Sequence, residues 1–234
     1  TDGYASIAGS LAHLYKNMGL ADKAENWYNI TLSIRKKKYG EKNEFYLSEL
    51  NNLADLYKRN KEIAKADSMY NHLKNEYRSI YGDSSKQYSR ALQNLAIFYD
   101  SWEKFALAEP LHLQVIKIDN TLYGSNHENS IKNLIWLANS YREASQYDKT
   151  DSINNIVLEA ILKKYGAHHL ETAKEYDRHA LWAAEMGMYT KAIQYNIKSV
   201  TIIENVSGTN NLHYINSLLE LGKQYVFIEN FNMG

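Results

Sequence analysis

Leu50-Asn51-Asn52-Leu53-Ala54-Asp55-Leu56-Tyr57 returns forty-two residues later as Leu92-Gln93-Asn94-Leu95-Ala96-Ile97-Phe98-Tyr99. Within each copy, two leucines, the alanine and the tyrosine stand three or four residues apart, so they share one face of a helix. The beat runs through the chain without insertion or deletion. Gly40, Gly82, Gly124, Gly166 and Gly208 keep it, and the first four follow Tyr39, Tyr81, Tyr123 and Tyr165. A small residue recurs at Ala12, Ala54, Ala96, Ala138, Ala180 and Gly222. A second small position lies twelve residues on, at Ala24, Ala66, Ala108 and Ala192, with Thr150 deviating. Three residues before it stands Ala21, Ile63, Phe105, Tyr147, Tyr189 or Phe231.

Each copy reads as two helices. Tyr46, Leu50, Leu53, Ala54 and Tyr57 mark the first, and Ile63, Ala66, Met69, Tyr70 and Leu73 mark the second. The expected lengths are about 14–16 and about 16–18 residues. The glycine of the beat closes the second helix by adopting positive φ. Asn43, Ser85 and Asn211, three residues further on, are placed to cap the next first helix; His127 and His169 occupy the same loop position. The short side chains let two antiparallel helices approach. A single hairpin leaves one apolar face wet, so each must stack on the next, which makes an all-α solenoid.

The chain has 234 residues, 44% of them hydrophobic, with 27 Lys+Arg against 27 Asp+Glu. Neutrality excludes a strongly basic nucleic-acid binder as a description of the whole chain. With no Cys, there is no disulfide scaffold, Cys-ligated zinc site, iron–sulfur cluster or cysteine nucleophile. No apolar run is long enough for a membrane span, and no signal peptide stands at the start. The compartment stays open, with the cytoplasm as the default. The eight His lack metal-ligand spacing, and His112, aligned with Tyr28 and Tyr70, reads as a packing residue. No phosphate loop, nucleophile elbow or dinucleotide fingerprint is present. The expectation is no enzyme, no metal and no cofactor. The 20 Tyr fall largely on the packing beat, so base stacking is the weaker reading and nucleic acid is not the expected partner.

A hairpin of the pattern Leu-Ala-x-x-Tyr, aromatic, Ala resembles the tetratricopeptide repeat, whose usual period is 34 residues. Eight more residues, about two helical turns, are added here. The longer form, with Leu50 to Tyr57 and Tyr123-Gly124-Ser125-Asn126-His127, is similar to the kinesin light chain type. The resemblance implies a right-handed superhelix of five full repeats and part of a sixth. The repeats are expected near residues 3–44, 45–86, 87–128, 129–170, 171–212 and 213–234, as one domain cut from a longer protein. It also implies that the first helices line a concave groove holding a protein or peptide. The family's groove positions fall on Asn51, Asn52, Arg90, Gln93, Asn94, Lys132, Trp136, Asn139, Arg142, Lys174 and Arg178. Arg90, Lys132 and Lys174 recur at the repeat period and give the groove a slight positive lean, so the expected partner is acidic. Trp136 supplies an apolar anchor, and the asparagines suit a partner's backbone amides. Two other readings stand beside this one: the regulatory arm of a larger effector such as a CHAT-type protease, and self-assembly through exposed end repeats.

Overall fold

A computed structural model describes the backbone of residues 2–232 and the side chains of residues 3–228. Phe231, named above, lies outside the described side chains. Among the described residues, all regular structure is helical. First helices are α1 (Asp2–Asn17), α3 (Glu44–Arg59), α5 (Lys86–Asp100), α7 (Glu128–Glu143), α9 (Leu170–Glu185) and α11 (Leu212–Asn232). Second helices are α2 (Ala21–Tyr39), α4 (Ile63–Tyr81), α6 (Phe105–Tyr123), α8 (Tyr147–Tyr165) and α10 (Tyr189–Ser207). Each second helix has 19 residues, a little longer than the apolar stripe alone indicates, because it continues to the glycine. The helices gather into two compact units, Thr1–Leu122 and Tyr123–Gly234.

The capping residues act as the spacing predicts, the histidines included. Asn43 Oδ1 accepts from the Phe45 amide at 2.9 Å, and Ser85 Oγ from that of Tyr88 at 3.2 Å. His127 Nδ1 accepts from the Asn129 amide at 3.2 Å, His169 Nδ1 from Glu171 at 3.1 Å, and Asn211 Oδ1 from Tyr214 at 2.9 Å. Each cap satisfies an amide that has no partner inside its helix.

The two kinds of turn differ. After each of α1, α3, α5, α7 and α9 comes a residue with left-handed φ: Gly19 (74°), Lys61 (63°), Glu103 (55°), Ser145 (57°) and Gly187 (70°). The amide after it reaches back five residues, as in Glu62 to Tyr57 (2.9 Å) and Lys104 to Tyr99 (2.9 Å). The left-handed residue's own amide reaches back three, as in Glu103 to Asp100 (2.9 Å). This crossed pair of bonds is the Schellman closure. The glycine beat is different. Gly40, Gly82, Gly166 and Gly208 have φ of 71–84° with ψ extended, at 167°, 168°, 170° and −174°. These glycines therefore end the second helix with positive φ and extended ψ, not by a left-handed cap. That backbone region is open to glycine almost alone.

The alanine seams meet as required. Ala12, Ala54 and Ala96 are fully buried, as are Ala24, Ala66 and Ala108, so α1 to α6 close pairwise in the first unit. Ala138, Ala180 and Ala192 are buried in the second, where Thr150 is also buried and ties its hydroxyl to the Gln146 carbonyl at 3.1 Å. Gly222, the sixth small position, is exposed. Tyr28, Tyr70, Leu73 and Phe98 fill the first unit's core.

Candidate partner-binding face

Within the first unit, the first helices lie side by side and join through polar side chains. Lys16 Nζ donates to Asp55 at 3.0 Å, linking α1 to α3. Asn94 Nδ2 donates to Asn51 Oδ1 at 2.8 Å, linking α3 to α5. Arg90 approaches Glu44 to 3.8 Å, with both side chains about half exposed. Asn51, Arg90 and Asn94 therefore converge, and with Ser48, Tyr77 and Ala91 they line a cavity of about 160 Å³. The Arg90 guanidinium sits over the Tyr77 ring at 6.0 Å from its centroid. Burial pushes the Tyr77 phenol up, so it stays a neutral wall beneath that cation. Gln93 is half-buried on the same helix and already has a polar partner.

Asn52 faces a second cavity, of about 660 Å³, between α1, α2 and α3. Ser6, Gly9, Ser10 and His13 form one side, Glu44, Phe45, Ser48 and Glu49 the other, and Arg35 of α2 an end. Ser48 belongs to both cavities, which therefore adjoin. Glu49 is 3% exposed. Its Oε2 pairs with Arg35 at 3.0 Å, while its Oε1 has no hydrogen-bond partner. Burial pushes this carboxyl up, and Arg35, Asn52 and Lys16 pull against that without overcoming it. The His13 imidazole is pushed down by burial and by the Lys16 charge, so the neutral ring is favoured.

In the second unit, the expected groove residues divide. Trp136 is 42% exposed on α7, with Asn139 half-buried one turn on. Arg142 reaches Glu185 of α9 at 3.5 Å. Lys132 and Lys174 are exposed but pair with acids of their own helices, Glu128 at 2.5 Å and Glu171 at 2.6 Å. Exposed pairs of this kind are worth little and exchange readily with another anion. Arg178 turns inward: its Nη1 donates to the buried Asn154 Oδ1 at 2.7 Å, and its other nitrogens grip the buried Glu175. Burial pushes the Glu175 carboxyl up, but hydrogen bonds from His179 and Arg178 outweigh that and hold it below its ordinary value. Arg178 is thus a packing cation between α8 and α9. The family spacing reports which helix face a residue starts from, not where a long side chain ends.

His112 is buried and pairs its Nε2 with Asp100 at 2.7 Å, so it packs as expected but through a polar bond. Among the described residues, no group of three metal-ligating side chains comes together. No helix there is long and apolar enough to cross a membrane. The spacing argument missed the larger cavity. Its signals were a glycine inside a helix (Gly9) and a carboxylate (Glu49) in a column that holds Ile7 and Ala91 in neighbouring copies.

The tetratricopeptide repeat family model matches residues 3–75 and 46–121. A kinesin-light-chain-type protein of Podosopora anserina with nearly identical tetratricopeptide-like repeats superposes with a TM-score of 0.73 at 17% identity, over 86% of this chain and 96% of that one. BtubC (BKLC) from P. vanneervenii gives 0.64 at 15% identity, over 99% of this chain and 85% of that one. The apo form of RapI gives 0.61 at 13% identity, over 98% and 73%. At these identities the likeness is one of fold. No curated protein matches the sequence.

Proposed function

Because this chain belongs to the tetratricopeptide repeat family, we propose that it is a protein-interaction module whose first-helix face captures an acidic peptide segment of a partner. One observation carries the reading: Asn51, Arg90 and Asn94, chosen by repeat spacing, gather around a single cavity in the first unit. The cavity supplies a cation, two amides and the hydroxyls of Ser48 and Tyr77. An amide offers both a donor and an acceptor, so Asn51 and Asn94 suit a peptide backbone, and Arg90 suits a carboxylate in two-point geometry. Arg90's present partner is a long, exposed contact to Glu44, which a better-placed carboxylate would displace at little loss.

In the second unit, Trp136 is the apolar anchor. A large aromatic surface left in water on a helix face is the commonest kind of residue to dominate a protein interface. Lys132 and Lys174 contribute positive potential more than fixed contacts.

The test is fluorescence anisotropy of labelled short acidic peptides, with and without a central aromatic residue, against the native chain and charge-reversed variants. R90E is expected to weaken binding at least tenfold, and K132E and K174E by smaller factors that vanish in high salt. Unchanged affinity in all three, with native helicity, overturns the reading.

A further inference from the structure

We infer that the cavity between α1, α2 and α3 is a receptor for a primary ammonium group, carried by a lysine side chain or a free N-terminus of the same partner. The inference rests on the first-helix face being the partner surface, and it adds a site of opposite charge beside Arg90.

The charges facing the cavity are two carboxylates, Glu44 and Glu49, and one guanidinium, Arg35. His13 adds no positive charge in its favoured neutral form. Arg90 reaches Glu44 at 3.8 Å and the Lys16 charge acts on Glu49, so what distinguishes the recess is the unmet oxygen of Glu49, not a net charge. Arg35 meets only one oxygen of Glu49: its Nη1 lies 3.0 Å from Oε2 and also donates to the Phe45 carbonyl at 2.6 Å. Glu49 is thus half paired: a buried carboxylate with one oxygen lacking a donor. Such a group is strongly unfavourable to bury unless a cation or donor arrives.

The recess lies where small residues face it: Ser6 and Gly9 of α1 and Ser48 of α3. Ser6 stands with Ser48 in the column that holds Arg90, Lys132 and Lys174 further on, and Gly9 stands in that of Asn51, Gln93, Ile135 and Asp177. A methyl group at Gly9 would meet Glu49 Oε1 at 3.4 Å. Inside a helix, glycine is unfavourable by roughly 1 kcal/mol relative to alanine, and nothing in the α1 backbone requires it. The space it leaves lies against the half-paired carboxylate. Serine hydroxyls and the Asn52 side-chain carbonyl supply further acceptors. An ammonium is compact with three donors, and it fits a recess of acceptors better than a planar guanidinium does. Since Ser48 borders both cavities, a peptide would place its acid at Arg90 and its ammonium beyond Ser48.

The experiment follows the Gly9 amide and the Asn52 side-chain amide by NMR on the whole chain. The probes are Nα-acetyl-lysine methylamide, dialanine amide and, as a neutral control, N-acetyl-alanine methylamide. The ammonium probes are expected to shift these signals saturably with a Kd of about millimolar, and the control is not. The stronger of the two arms identifies a side chain or a terminus as the source. E49Q combined with E44Q should raise the Kd at least tenfold without lowering Tm. G9A should raise Tm while weakening the probes, which a folding defect cannot do. Equal shifts by the neutral control, no saturation, or unchanged affinity in E44Q/E49Q overturns the inference. R90E separates the two ideas: it should weaken acidic-peptide binding at least tenfold while the ammonium probes, with Glu44 released from Arg90, bind as well or better. Peptide binding that depends on Arg90, with no ammonium binding, removes only this inference. Ammonium binding with R90E-insensitive peptides removes only the groove reading.

Discussion

Exchanging glycine between the two turns should move stability in opposite directions. Gly82 has φ +84° with ψ 168°, and an added Cβ would meet nothing within 4 Å. The cost of Gly82→Ala is therefore backbone strain alone, about 1–3 kcal/mol in this region. Part is returned, about 0.4–1 kcal/mol, because alanine narrows the unfolded ensemble. A net loss of about 1–2 kcal/mol is expected. Glu103, by contrast, holds φ 55° in a Schellman turn without being glycine. A left-handed conformation costs such a residue about 1–2 kcal/mol, and Glu103→Gly releases it against about 0.5–1 kcal/mol of added unfolded entropy. The net gain is several tenths to about 1 kcal/mol. Urea unfolding followed by circular dichroism measures both, with one kcal/mol moving Tm by roughly 2–4 °C in a chain of this size. Repeat arrays can lose two-state behaviour, so amide exchange in α4 and α5 should accompany the melts, showing whether the change is local. A neutral Gly82→Ala, or a Glu103→Gly that destabilises, would refute the assignment of strain to these turns.

Ala54→Leu forces a branched side chain into the closed α3–α4 seam and should cost about 1–3 kcal/mol, read as a lower urea midpoint. Glu49 and Glu175 should respond oppositely to pH. The Glu49 carboxyl is raised in the fold, so the stability it lends is present below its unfolded value, about 4.3, and lost as pH rises through its folded value. E49Q should thus match or exceed the native chain at pH 7 and lose that advantage in acid. The Glu175 carboxyl is lowered, so its contribution is present above the unfolded value and lost as pH falls through the folded one. E175Q should be destabilised at neutral pH and converge on the native chain in acid. Midpoints at several pH values check both. Trp136→Ala, at an exposed position, should weaken partner peptides severalfold and leave the melting curve within about 0.5 kcal/mol of native.

The period, the helix faces, the capping loop and the alanine seams were legible because each is a local rule repeated in register. A wrong reading of one copy is corrected by the next. The Schellman turn was hidden because its left-handed position holds Gly only at 19 and 187. Lys61, Glu103 and Ser145 tolerate the strain, so composition carries no mark of it. The candidate site was half legible for a related reason. Short side chains such as Asn51 and Asn94 end close to the face their helix position assigns. Arg178 is long enough to leave that face for Asn154 and Glu175. The larger cavity depends on what is missing at Ser6 and Gly9, and a search for binding residues passes over small ones.

The column Tyr28, Tyr70, His112, Asn154, Asn196 shows how one repeat geometry accommodates different chemistry. All five positions are buried. In the first copies it is aromatic: Tyr28 meets the His13 ring edge-on at 5.9 Å, and Tyr70 meets Phe98 at 5.3 Å. From the third copy it turns polar, and each polar member finds a specific partner: His112 with Asp100, Asn154 with Arg178, and Asn196 with Gln224 at 2.8 Å. Apolar packing tolerates small slips, since any neighbouring surface will serve. A buried amide does not, because losing its partner costs about 1–3 kcal/mol. In the second unit, side-chain hydrogen bonds between α8 and α9 and between α10 and α11 fix the hairpin stacking; in the first, Tyr57 to Glu25 at 2.6 Å and Tyr99 to Asp67 at 2.9 Å do the same beside a more aromatic core. The charged groups enclosed in the first unit, Glu49 and Arg35, add no comparable lock, because one Glu49 oxygen is left without a partner. What sets Glu49 apart from the polar members of that column is that one of its oxygens has no partner and its side chain borders open space.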